Sequence, residues 1–177
     1  MINLFLGEKP VTIRSAFLLC TLIVMLMDGA TSSALAQQPS APPPQVAYGA
    51  PINLDQAKAV MTAAETEAKK NNWNVVIAVL DSGGHVVMLH RLDGAQLGSL
   101  EAAKDKAYSA VLFRRPTKAF QDTLSKNLRI LKLTGANPIE GGIPLIIDGK
   151  LIGAIGVSGV LSEQDAQIAG AGANALR

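Results

Sequence analysis

The chain has 177 residues, 17% of them charged, 4% aromatic, and a formal net charge of +2. A balance so close to neutral, with no basic run and few aromatics, excludes a nucleic-acid-binding surface of the usual kind. Cys20 is the only cysteine, which excludes an internal disulfide and a cysteine-based zinc site.

Arg14 ends a short n-region, Ser15–Met27 is apolar and uncharged, and Ala34-Leu35-Ala36 fits the small-x-small cleavage rule. The pattern predicts a signal peptide over residues 1–36 and a mature chain starting at Gln37. The apolar run is shorter than the roughly 20 residues that span a bilayer. The expected product is therefore periplasmic or secreted, with no stable membrane span after cleavage and no remaining cysteine. Residues 37–51 carry the run Pro39-Ser-Ala-Pro-Pro-Pro and read as a semi-rigid Pro-rich linker. Residues 52–177 remain for a single domain.

Within that domain, Leu54, Ala57, Val60, Met61, Ala64 and Ala68 recur at three- and four-residue steps. They predict an amphipathic helix over Leu54–Lys70, with Asn53 as its cap and Gln56 reaching back. Trp73–Leu80 is almost continuously apolar and reads as a central strand covered on both faces. Asp81-Ser-Gly-Gly turns it, and His85–Arg91 returns as its partner. Ser99 is expected to cap a helix ending near Phe113. Pro116 breaks that helix, and Thr117–Leu124 follows as a short one. Residues 127–138 are irregular.

The stretch Gly141–Gly159 then reads as a hairpin, Ile143–Ile147 and Lys150–Val157 about Asp148-Gly149. Its many glycines mark a close approach by a helix, another backbone or a flat ligand. Ser162 is expected to open a last helix to about Leu176, with Glu163 and Asp165 in its first turn. The order α-β-β-α-α-β-β-α has two hairpins and no long crossovers. It implies an antiparallel sheet with flanking helices, an α+β domain.

Five segments in this order carry a recognisable pattern: Val79-Leu-Asp-Ser-Gly-Gly-His-Val-Val, Arg91-Leu-Asp-Gly-Ala, Lys104-Asp-Lys-Ala-Tyr-Ser-Ala, Gly141-Gly-Ile-Pro-Leu and Ile152-Gly-Ala-Ile-Gly-Val-Ser-Gly. The chain resembles the GlcG/HbpS family of heme-binding-like proteins over about residues 52–176. The family also includes the C-terminal domain of some corrinoid adenosyltransferases. The resemblance implies a profilin-like fold, a homo-oligomer and, for several members, bound heme. Secreted members are linked to heme capture, storage, sensing or slow degradation. Other members accompany glycolate or diol metabolism, so the resemblance leaves open whether this chain is an enzyme.

A heme needs an apolar slot, an axial ligand and cations for its propionates. The mature chain offers His85, His90, Tyr48, Tyr108, Met61 and Met88 as conventional ligands. His85 and His90 are five positions apart on one expected strand, which puts them on opposite faces unless a bulge intervenes. His90 shares its register with Val86, Met88 and Leu92 and is expected to be a buried, hydrogen-bonded histidine. Some heme-binding relatives use a histidine on the first helix, and Leu54–Lys70 has none. Others use a hydroxyl near the break between the middle helices, where Thr117 is the nearest match, with helix capping as its structural alternative. Arg114 and Arg115 are candidate propionate partners. Arg91 is a candidate anchor for a small carboxylate such as a 2-hydroxy acid. That activity, with a histidine as acid–base group, is the principal alternative to heme binding, and a sensor or structural module without a small ligand is a third.

Overall fold

The computed structural model describes residues 45–177. The expected signal peptide and the linker up to Pro44 lie outside the described residues. The elements run β1 (Ala47–Tyr48), α1 (Leu54–Lys70), β2 (Val76–Asp81), β3 (Val86–Arg91), α2 (Ser99–Phe113) and α3 (Lys118–Leu124). A 3-10 turn (Leu128–Lys132), β4 (Gly142–Ile147), β5 (Lys150–Ser158) and α4 (Ser162–Asn174) complete the chain.

β5 is the central strand of the sheet. β4 pairs with it antiparallel, and β2 pairs antiparallel along its other side from Val76↔Ser158 to Asp81↔Gly153. β3 completes the row against β2. The antiparallel α+β architecture is thus as the two hairpins imply. β1 is an addition. Ala47 and Tyr48 pair parallel with Lys150 and Leu151, inside what the sequence reads as linker. Two residues carry no periodicity, so only the open edge of β5 makes them a strand.

Helices cover both faces, and this is why β2 is buried at five of its six positions. On one face α1 and α4 pack Val60, Met61, Ala64, Ile168 and Ala169 onto Ile77, Val79, Ile155 and Val157. On the other, α2 sets Ala103, Ala107 and Ala110 onto Val76, Ala78, Leu80 and Ala154. Each large side chain buried this way contributes about 1.5–3 kcal/mol.

The local signals hold in part. Asn53 and Gln56 form the expected reciprocal cap of α1, at 2.9 and 3.0 Å. Ser99 is not the cap of α2. Gly98 is, and the Ser99 hydroxyl is buried 3.4 Å from that of Ser158. Leu161 is the N-cap residue of α4, and its amide donates to Gln164.

Candidate functional site

The glycine hairpin is closed by α2. A Cβ on Gly156 would lie 2.1 Å from the Ala103 carbonyl oxygen, and one on Gly142 would lie 2.2 Å from that of Lys106. Glycine is required here because a helix backbone rests on the strands. At these two positions the flat-ligand alternative is overturned, since the space is occupied.

That close approach brings Lys106 past Gly141 at the start of β4 to the end of β5 and the first turn of α4. Its ammonium donates to Asp165 Oδ2 at 2.8 Å and to the Val157 carbonyl at 3.0 Å. The two side chains are 3% and 2% exposed. Asp165 also accepts from the Val160 amide at 3.3 Å. Burial pushes the Asp165 carboxyl above its ordinary range, while Lys106 pulls it back down. In sequence Lys106 reads as one more helix lysine and Asp165 as a first-turn acid. Their separation of 59 positions leaves no local signal.

Thr117 is buried and stands at the N-cap position of α3, yet its side chain makes no capping bond there. Its hydroxyl accepts from the Gly142 amide at 3.0 Å, and its own amide donates to the Gly142 carbonyl. Thr117 thus brackets the start of β4. Arg114 ends α2 in the left-handed region at φ 52°, a strained conformation for a non-glycine residue. It donates to the Val46 carbonyl at 3.1 Å and to Gln45, and lies over the Tyr48 ring at 5.0 Å. Tyr48 in turn donates to the carbonyls of Val111 and Leu112 at the C-terminal end of α2. Arg115 is exposed, donates to the Phe113 carbonyl and stacks on Phe120.

The two histidines are separated by more than face parity. Val79 pairs with Met88 but Leu80 with Val86, so a bulge at Val87 breaks the strict alternation on which the opposite-face expectation rests. Five residues of strand still hold them about 16 Å apart. His85 is exposed at the turn, where its amide donates to Asp81. His90 bonds Glu65 of α1 and lowers that carboxyl's pKa, the largest of the influences on it. At 43% side-chain exposure His90 is hydrogen-bonded as expected, but only half-buried. A shallow cleft of about 360 Å³ beside it is lined by Glu65, Lys69, Asn74, Arg91, Leu92 and Asp93. Arg91 donates to the Ala95 carbonyl there.

A larger cleft, of about 430 Å³, lies on the other side of the molecule, against α2. Asp105 and Tyr108 form one wall and Gly135, Ala136, Asn137 and Pro138 the other. Neither cleft unites the six expected site residues. They divide among the turn at His85, the α1–β3 edge, and the break between α2 and α3. Among the described residues no cluster of His, Cys, Asp and Glu is arranged to hold a metal ion.

The arrangement defines a class: a mainly antiparallel sheet with one short parallel edge strand, helices on both faces and open clefts against its helices. The family described as "Haem degrading protein HbpS-like" matches residues 52–174. The chain belongs to the HbpS-like, or GlcG/HbpS, family. It is 41% identical over 109 residues to Protein GlcG of Escherichia coli K12, covering 60% of this chain and 81% of that protein. A double mutant of HbpS from Streptomyces reticuli superposes with a TM-score of 0.68 at 30% identity, over 78% of this chain and 99% of the other. A PduOC:heme complex superposes with a TM-score of 0.66 at 28% identity, over 72% and 96%.

Proposed function

We infer that this chain is an exported heme-binding protein. The observation that carries the proposal is the fold itself. It is shared with a domain whose crystal structure is a heme complex, and family membership extends over nearly the whole described domain. Export is supported by the sequence of residues 1–36. Capture, storage or sensing of heme is the role such a chain would serve outside the cytoplasm, and slow degradation accords with the family description. Assembly of several copies is part of the same proposal.

The test is titration of the purified mature chain with hemin. A saturable Soret shift near one equivalent per chain is expected, and a response no larger than that of a non-binding control protein refutes heme binding. N-terminal sequencing of the exported protein should begin at Gln37. A start at Met1 would remove the signal peptide from the proposal. Thr117 and Arg114 already serve structural contacts. A ligand role for Thr117 would show as an altered Soret band in Thr117→Ala that still melts cooperatively.

A second reading has one observation in its favour. The cleft beside His90 gathers Lys69 and Arg91 near a histidine already paired with Glu65, a setting for a small carboxylate. Turnover of a 2-hydroxy acid without heme, lost in His90→Ala, would establish it over heme binding.

A further inference from the structure

We propose that the 3-10 turn Leu128–Lys132 docks this protein on an anionic lipid surface, its leucines entering the bilayer interface and its basic side chains meeting the lipid phosphates. Neither heme nor a small carboxylate is required for this.

The geometry of the turn sorts its side chains. A 3-10 helix has three residues per turn, so positions i and i+3 eclipse and form ridges. Leu128 and Leu131 make one ridge, Arg129 and Lys132 a second, and Ile130 takes the third direction. Ile130 is half-buried, whereas the other four are exposed, Leu128 at 71% and Leu131 at 62%. The turn is held by local bonds. The Arg129 amide donates to the Asn127 side chain at 3.0 Å, and the Leu133 amide donates to the Ile130 carbonyl at 3.1 Å. Leu133 and Leu112, 43% and 38% exposed, extend the apolar surface, since Leu112 reaches the backbone at Gly135.

The charge around these leucines is of one sign. From Leu112 to Ile139 the chain has six cations, Arg114, Arg115, Lys118, Lys126, Arg129 and Lys132, against one acid, Asp122. That excess is larger than the net +2 of the whole chain. Asp122 is already paired with Lys118 at 2.7 Å. Among the described residues no acid pairs with Lys126, Arg129 or Lys132, all of them exposed.

Charge and shape select the occupant. Leucines beside a row of lysine and arginine are the side-chain set of a segment lying in a lipid interface. The apolar ridge enters the acyl boundary while the cations stay at headgroup level, drawn by the negative surface potential. A second copy docked by the same face about a two-fold axis would set these cations against each other. A planar macrocycle needs a recess, and leucines this exposed project from the surface.

The test uses the chain from Gln37 onward, because the apolar leader would itself bind lipid, and vesicles of phosphatidylcholine with or without phosphatidylglycerol. Wild type should sediment with the phosphatidylglycerol vesicles at low salt and be released as salt rises. Leu128→Ser with Leu131→Ser should weaken that binding at least about tenfold, a change of ~1.4 kcal/mol. Arg129→Gln with Lys132→Gln should do the same and flatten the salt dependence. All four side chains are exposed, so melting curves should match wild type. In Leu128→Trp the added fluorescence, read against the Trp73 background of wild type, should shift to the blue on anionic vesicles. Wild type that ignores those vesicles overturns the proposal, as does a leucine variant that binds them like wild type. Loss of self-association in the leucine variant, with no vesicle binding by wild type, would assign the face to a second copy instead.

Discussion

Lys106→Met tests whether the buried Lys106–Asp165 pair ties α2 to α4. Methionine replaces the aliphatic stem with little change of volume, so the main loss is the ammonium and its bonds to Asp165 and the Val157 carbonyl. Asp165, 2% exposed, would keep only the Val160 amide at 3.3 Å. Removing one partner of such a pair costs about 3–5 kcal/mol. Protonation of the stranded carboxyl sets a ceiling on the charge part. With an unfolded pKa near 3.9, neutralising it costs about 4 kcal/mol at a pH of about 7 and about 1.5 kcal/mol at a pH of about 5.

The sign follows from linkage. Asp165 in the variant has a folded pKa raised above its unfolded value. The folded state therefore binds more protons between the two, and stability falls as pH rises through the folded pKa. In wild type burial raises the same carboxyl, but Lys106 opposes the rise, so the dependence is smaller. Urea unfolding at the two pH values, with matched m-values, measures the difference. Lys106→Met should be about 3–4 kcal/mol less stable than wild type at neutral pH and should recover much of that in mild acid. Adding Asp165→Asn should abolish the recovery. A neutral-pH loss below about 1 kcal/mol, or the same loss at both pH values, would show that the charges are not what couples the helices.

Gly156→Ala should destabilise by about 1–3 kcal/mol, because its Cβ meets the Ala103 carbonyl at 2.1 Å and α2 must move. A melting temperature equal to wild type would refute that close packing. Glu65→Gln should remove an acid-range dependence. The Glu65 carboxyl is held low, first by His90, so its contribution is present at neutral pH and is lost as pH falls through its lowered pKa. The stability difference between wild type and Glu65→Gln should therefore vanish in acid, and an unchanged difference by urea titration would contradict the pairing. Hemin titration of wild type supplies the functional outcome set out above.

Local chemistry settled much of this domain. The three- and four-residue spacing of Leu54–Lys70 and its Asn53–Gln56 cap are local properties, and that helix has its expected bounds. The continuous apolar run into Leu80 requires cover on both faces, and the Asp–Gly turns fix the hairpins; the order of elements follows from these, and the family from the resemblance of the five ordered segments. Contacts between residues far apart in the chain decided the rest. Thr117 reads as a cap because capping is local, and the structure turns it to Gly142 because β4 arrives there. Arg114 reads as a free cation, and β1 claims it. The glycines of Gly141–Gly159 announce a close approach without saying by what. Only the tertiary structure supplies α2 as the approaching surface, because packing depends on which faces meet. Tyr108 sits at an ordinary outward helix position, and only the return of residues 135–138 makes it the wall of a cleft.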